Sequence, residues 1–264
     1  MPSVGPHCNL PNCAPPNCAP PNCAPPDCAP PDCATDIMLA QCRLDDDHDI
    51  SLAKAEGWLS ASETDRAERF HFARDRNRYI RGRGFLRSML GQVCGQNPAS
   101  LALGVQAQGK PVLQNSHLAF NLSHSRGLAV LAISETGPLG LDLEFIDRDV
   151  DIAGLAQTCL TAEEARVLET LPEIHRAARF FAFWTAKEAR MKLTGEGMSL
   201  PPRQIALDLR NGLPVGYLRP QTVQAQAVFL DLGHPGSVCC LAVAQGQRPQ
   251  VISLAPQGIG HAAR

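Results

Sequence analysis

The chain has no apolar run approaching the ~20 residues that a membrane span requires. Its opening, MPSVGPHCNL, lacks the basic stretch followed by an apolar one that marks a secretory signal. An excess of charge is missing too. The 24 lysines and arginines face 26 aspartates and glutamates, for a formal net charge of −2. Nothing therefore draws the whole molecule to nucleic acid or to an anionic membrane. Cysteine pairs with C-x-x-C spacing are also absent, which removes the common zinc and redox motifs. These absences predict a cytoplasmic protein with neither a membrane nor a nucleic acid as partner, folded without a disulfide scaffold.

What is present divides sharply near residue 36. Six of the 11 cysteines (Cys8, Cys13, Cys18, Cys23, Cys28 and Cys33) recur at a period of five in one tail, the last five of them in a tandem pentapeptide over 11–35, PNCAP-PNCAP-PNCAP-PDCAP-PDCAT. Proline at that density forbids both helix and ladder pairing, so the tail is expected to be disordered or polyproline-like. It is either a soft-metal or thiol tail or a repeat expansion with no role. Its spacing matches no zinc pattern. Met38 follows directly and is a candidate start of the domain. The rest, 44% hydrophobic and 19% charged over the whole chain, has the composition of an ordinary globular protein with a proper core.

Local patterns beyond the tail mix strands and helices. MLAQCRL from Met38 reads as a first strand. Residues 62–90 read as a helix weakened in its middle by Gly82 and Gly84. Strands are expected at 118–122, 128–133 and 139–145. Thr161 with Glu164 forms a capping box that opens a helix. A long helix runs over 173–193 and stops at Thr194-Gly195. Further strands are expected at 205–209, 223–230 and 238–244. Without regular β-α-β alternation, the fold class is α+β.

Four constellations could carry chemistry. In Gly140-Leu141-Asp142-Leu143-Glu144, strand alternation puts Asp142 and Glu144 on one face and Leu141, Leu143 and Phe145 on the other. Two neighbouring carboxylates repel unless a cation lies between them, and oxygen donors suit magnesium. The alternative is the solvated face of an amphipathic strand. In the helix FFAFWTAKEARMK, Lys187 interrupts an apolar stripe, and Glu188 and Lys192 sit one turn apart at its edge. The alternative there is a simple i,i+4 ion pair. Between Thr64 and Leu90, eight arginines (Arg66, Arg69, Arg74, Arg76, Arg78, Arg81, Arg83 and Arg87) face only Asp65, Glu68 and Asp75, a local excess of 8 − 3 = +5. That window either attracts phosphates or an acidic partner, or is a solvated basic helix. Finally, Gly109-Lys110-Pro111 and Asn121-Leu122-Ser123-His124-Ser125 place a lysine and a histidine at strand ends, where they could hold an anion.

In order and spacing these pieces resemble the surfactin-type phosphopantetheinyl transferase family. GKP at 109–111, FNLSHS at 120–125, GLDLE at 140–144, LTAEE at 160–164 and FWTAKEARMK at 183–192 appear in the family's order. The last contains its W-x-x-K-E-A-x-x-K signature. RFHFARDRNRYIRGRGFLR resembles the family's coenzyme-binding helix more loosely, with arginines where the family often has lysines.

The resemblance implies an α+β pseudo-dimer of two similar subdomains in one chain, with the active site in the cleft between them. The organisation would be a tail at 1–36, an N-terminal subdomain at 37–137, a C-terminal subdomain at 138–254 and a short end at 255–264. It also implies an enzyme that uses coenzyme A and Mg2+ to place phosphopantetheine on a serine of an apo acyl or peptidyl carrier protein, acting as a monomer. Lys110, Ser123 and His124 would hold coenzyme A, with Arg66 and Arg78 as further candidates. Asp142, Glu144 and Glu188 would hold magnesium, Glu188 is the best candidate base, and Lys192 would lie near the reacting phosphates. The competing reading is a nucleic-acid- or anion-binding module built on the arginines of 64–90.

Overall fold

Every side chain of Leu128–Ser134 is buried, so this strand is covered on both faces. The layers that cover it define the architecture. The computed structural model describes residues 34–106, 109–147, 149–220, 222–245 and 248–254. In chain order these form β1 (Ala34–Arg43), α1 (Leu52–Glu56), α2 (Ala61–Glu68), α3 (Ala73–Cys94), β2 (Leu103–Val105), β3 (Pro111–Leu113), β4 (Ala119–Ser125), β5 (Leu128–Ser134) and β6 (Leu139–Phe145). They continue as α4 (Ile152–Cys159), α5 (Ala162–Glu169), α6 (Glu173–Thr194), β7 (Ala206–Arg210), β8 (Leu213–Arg219), β9 (Ala225–Leu230), β10 (Ser237–Ala244) and β11 (Arg248–Leu254). The fold is α+β.

Two sheets carry the core, one in the order β11-β1-β5-β4 and one in the order β6-β10-β9-β8-β7. Side-chain alternation assigns their faces. Ala129, Leu131 and Ile133 of β5 pack with Phe85, Leu86 and Met89 of α3. The intervening Val130 and Ala132 meet Leu141 and Leu143 of β6 and Leu241 and Val243 of β10. On the far side, Cys240 and Ala242 of β10 pack against Phe183, Ala186 and Ala189 of α6. The result is four layers: helix, sheet, sheet, helix. Burying each large aliphatic side chain in such layers stabilises the fold by roughly 1.5–3 kcal/mol.

Several sequence expectations change. β1 begins at Ala34, so the last residues assigned to the tail belong to a strand; the repeat before it lies outside the described residues. β1 pairs in parallel with β11, Met38 opposite Ile252, which brings the last strand into the first sheet. The helix expected over 62–90 is two helices. α2 has its own capping box, Ser60 with Glu63, and ends at Glu68, and α3 starts at Ala73. Gly84 stays inside α3 because α1 crosses there: a β-carbon at Gly84 would overlap Ala55.

The arginine window is not a free basic surface. Arg76 pairs with Glu56, Arg78 with Asp45, Arg81 with Asp47, Arg83 and Arg87 with Glu63, and Arg74 with Asp75. Four of these five acids lie upstream of residue 64, so counting charge within the window overstated it. Arg87 is buried, 1% exposed, and its guanidinium also donates to the carbonyls of Pro98 and Leu101.

Candidate active site

Strands β4 and β6 are the facing edges of the two sheets, and side chains join them. The backbone amide of Leu141 donates to Asn121 Oδ1 at 3.3 Å, and that of Leu143 to Ser123 Oγ at 3.2 Å. Asn121, Ser123 and Ser125 share one face of β4 by alternation, and all three reach β6. Ser123 Oγ donates to Asp142 Oδ1 at 3.0 Å, and Ser125 Oγ to Glu144 Oε2 at 3.2 Å. α6 lies directly against β6. A β-carbon at Gly140 would overlap the Ala189 carbonyl oxygen and the Leu193 amide, so the first glycine of the G-x-D-x-E motif lets helix and strand touch.

That contact brings the carboxylates and a lysine together. Asp142 is 3% exposed, not the solvated strand face that its alternation also allowed. Lys192 Nζ donates to Asp142 Oδ1 at 2.6 Å and to Ser123 Oγ at 3.1 Å. Asp142 Oδ2 is buried and has no hydrogen-bond partner. Trp184 Nε1 donates to Glu144 Oε1 at 3.4 Å. Burial, and then the charge of Asp142, push the Glu144 carboxyl above its usual range. Glu188 is raised in the same way, by burial and then by Asp142, with Lys192 opposing and Glu144 adding. The three carboxylates thus feel one another. Among the described residues no three acidic, histidine or cysteine side chains stand as a ready-made metal cage.

An orphaned buried carboxylate oxygen beside two carboxyls that resist ionisation is the donor chemistry that a hard divalent cation satisfies. Asp142, Glu144 and Glu188 therefore fit such an ion. The thiols nearby do not compete for it. Cys240 pairs in register with Asp142, but burial raises its pKa far above the usual range, and burial pushes Cys239 to about 12.

The cations expected to hold coenzyme A are placed unevenly. His124 reaches solvent. Even so, the protein packed around it, and then the charges of Lys192 and Arg78, hold its pKa below the ordinary value. Arg78 and Lys192 therefore supply the positive charge at this edge beside Asp142, and the lowered pKa favours a neutral His124. Arg78 is not free within it, since its guanidinium forks onto Asp45 at 2.6 and 2.8 Å. Arg66 belongs to a different group, lying over the Tyr79 ring at 5.7 Å, where Glu63 and Arg83 also act. Lys110 departs most from expectation. Its ammonium donates to the backbone carbonyls of Lys192, Leu139 and Leu193, not outward to an anion.

A pocket of ≈ 210 Å³ lies beside these residues, lined by Gly109, Lys110, Pro111, Asn121, Lys192 and Gly195 among others. A larger groove of ≈ 860 Å³ runs between α4, α5 and the start of α6, but none of the expected site residues lines it.

Sequence reasoning missed Ser125, Asn121 and the indole of Trp184. The two-residue spacing from Ser123 was the available signal for the first two. The signature's first lysine, Lys187, is structural. It is 0% exposed, and its Nζ meets Glu164 Oε2 at 2.6 Å and the carbonyls of Cys159 and Pro202 at 2.9 and 3.0 Å. Glu164 in turn accepts from the amides of Thr161 and Leu207. This pair fixes the rotation of α6, so that the next residue, Glu188, and Lys192 one turn on face β6.

Comparison with known proteins bears on this arrangement. A family model described as the 4'-phosphopantetheinyl transferase superfamily matches residues 138–240, and one described as 4'-phosphopantetheinyl transferase, N-terminal, matches residues 48–136. The chain is 37% identical over 191 residues to the 4'-phosphopantetheinyl transferase HetI of Nostoc sp., covering 70% of this chain and 78% of that protein. It is 29% identical over 188 residues to the 4'-phosphopantetheinyl transferase ffp of Bacillus subtilis, covering 69% and 82%. Against the 4'-phosphopantetheinyl transferase psf-1 of Bacillus pumilus it is 35% identical over 134 residues, covering 50% and 56%.

Proposed function

Since the chain belongs to the 4'-phosphopantetheinyl transferase superfamily and is a transferase, we propose that it moves the phosphopantetheine arm of coenzyme A onto a serine of an apo acyl or peptidyl carrier protein, with magnesium, and releases adenosine 3',5'-bisphosphate. The observation that supports the metal requirement is the partnerless, buried Asp142 Oδ2, on a carboxylate whose charge helps raise the pKa values of Glu144 and Glu188.

In this reading Asp142, Glu144 and Glu188 hold the ion. Bound there, magnesium would neutralise charge on the pyrophosphate as it breaks. The carrier serine oxygen forms a bond to the phosphorus that bears the pantetheine arm, and the bond from that phosphorus to the bridging oxygen breaks. Glu188, directly or through a water, takes the serine proton, as the carboxylate that α6 brings to the site. Lys192 stands at the same point with an ammonium that can follow the charge developing on the leaving phosphate. His124 and Ser123, as hydrogen-bonding groups, and Arg78, as a cation, orient coenzyme A along this edge. Chemistry of this kind is chiefly positioning and electrostatics, and it suits residues anchored on one strand and one helix.

The test is direct. The full chain is incubated with coenzyme A, magnesium and a panel of apo carriers, and each carrier is weighed by mass spectrometry. Gain of one phosphopantetheine on the carrier serine, abolished by EDTA and restored by magnesium, is expected. No gain on any carrier defeats the transfer reading, and a gain indifferent to EDTA defeats the metal reading.

A further inference from the structure

The last carbonyls of an α-helix have no partner within the helix and carry the negative end of its dipole. At the end of α6 two of them, on Lys192 and Leu193, point at one ammonium group. Lys110 Nζ lies 2.6 Å from the Lys192 oxygen and 3.4 Å from the Leu193 oxygen. The same nitrogen lies 3.2 Å from the carbonyl oxygen of Leu139, the first residue of β6. An ammonium has three hydrogens, and here each has a carbonyl. Gly195 ends the helix in the left-handed conformation, with φ 73°, and lies beside the lysine stem: a β-carbon on it would sit 3.8 Å from Lys110 Cδ, at ordinary contact distance. Burial lowers the Lys110 pKa.

The elements tied together are the two that carry the site. β6 holds Asp142 and Glu144, and α6 holds Glu188 and Lys192. Lys110 lies on neither; it stands just before β3. We propose that Lys110 is a positioning residue whose ammonium cross-ties the start of β6 to the end of α6 and so sets where Lys192 stands relative to Asp142. It governs the rate of transfer and not the hold on coenzyme A. The inference rests on the role given to Lys192 above. It also reassigns Lys110, whose place in the sequence suggested a phosphate contact.

The experiment compares wild type, Lys110→Met, Lys192→Gln and the double variant by steady-state kinetics, with coenzyme A affinity measured separately by calorimetry and a thermal melt on each. Lys110→Met is expected to lower kcat by about tenfold or more, since small displacements of a reacting group are costly. Its Kd for coenzyme A should stay within about twofold of wild type, because the contacts it loses are to backbone. In the Lys192→Gln background the same change should cost little further kcat, because residues acting through one another are not additive. A weaker Kd with kcat retained would return Lys110 to the coenzyme, and fully additive losses in kcat would deny the route through Lys192. Lys110→Gln serves as a second variant should the first melt early, and a kcat loss that merely follows the unfolded fraction in both would leave only a structural role. If Lys192→Gln keeps wild-type kcat, the role of Lys192 in transfer falls together with this proposal. If Lys192→Gln is slow and Lys110→Met is not, only this proposal falls.

Discussion

Lys192 Nζ and Asp142 Oδ1 are 2.6 Å apart across 50 residues of sequence, so the lysine's ion pair is with β6 and not with Glu188 one turn before it. The ammonium occupies one oxygen of the carboxylate expected to hold a cation, and Oδ2 is the one left without a partner, so a bound cation would share Asp142 with it.

That sharing gives rate and metal affinity opposite signs. Lys192→Gln removes one positive charge from beside three carboxylates, and a unit charge at about 4 Å is worth several kcal/mol against an ion at intermediate dielectric. The variant should bind Mn2+ about tenfold more tightly by calorimetry, while its kcat falls about tenfold or more. Weaker metal binding together with slower turnover would mean that the lysine supports the metal ligands instead of competing for them.

The carboxylates should matter individually. Asp142→Asn, Glu144→Gln and Glu188→Gln each keep the shape of the side chain and remove its charge, so each is expected to fold and to lose about a hundredfold or more in kcat/KM. Melting curves separate this from instability. A variant with near wild-type turnover at ordinary magnesium takes its residue out of the metal shell.

The buried pair Lys187–Glu164 should govern stability. Lys187→Met leaves Glu164 charged and buried, which costs about 3–5 kcal/mol. The double variant Lys187→Met/Glu164→Met removes both charges and should recover much of that loss. Urea denaturation measures both. A double variant as unstable as the sum of the two singles would show that the pair was not coupled.

Acid should loosen the α2–α3 corner. Burial alone would raise the Glu63 pKa. The Ser60 amide, Arg83 and Arg87 outweigh it, and the carboxyl titrates below its ordinary value. A depressed carboxylate contributes stability above its unfolded pKa of about 4.3, and that contribution is lost as pH falls through the lower folded value. Urea midpoints from pH 7 down to 3 should therefore drop in the wild type over that window, and Glu63→Gln should start lower and lose less. Parallel curves for the two proteins would assign the acid sensitivity elsewhere.

The repeat tail should be dispensable only up to a point. A chain starting at Ala34 keeps all of β1 and should fold and turn over like the full chain. A start at Met38 removes the register partners of Arg248, Pro249, Gln250 and Val251. It also removes Ile37, which is 1% exposed in the layer between the sheets. Loss of one such buried side chain costs about 2–5 kcal/mol. Equal melting temperatures for the two truncations would show that the first four residues of β1 contribute nothing.

Local rules explain what could be read before the fold was known. Alternation put Asp142 and Glu144 on one face, the Thr161–Glu164 capping box opened α5, and Gly195 closed α6. What could not be read is non-local. Lys192 finds its partner in Asp142, Lys110 finds three carbonyls on two other elements, and Glu164 uses its second oxygen on Leu207. The arginines of α3 are neutralised by Asp45, Asp47, Glu56 and Glu63, which a window starting at residue 64 leaves out. Spacing along a helix or strand says which way a side chain faces. It does not say which distant group it will meet.

The parallel pairing of β1 with β11 sets an order on biosynthesis. Among the described strands, β1 leaves the ribosome first and its outer neighbour β11 last, since Ala34 faces Arg248 and Ala40 faces Leu254. Until β11 is made, β1 is an edge of the first sheet, and the sheet reaches its four described strands only when β11 pairs with it. Contacts this far apart in sequence slow folding and leave such edges exposed while it proceeds. A stalled or prematurely terminated chain therefore does not yield a finished N-terminal half. It yields a sheet in which β1, normally interior, is the unpaired edge, a form open to chaperones or to another copy of itself.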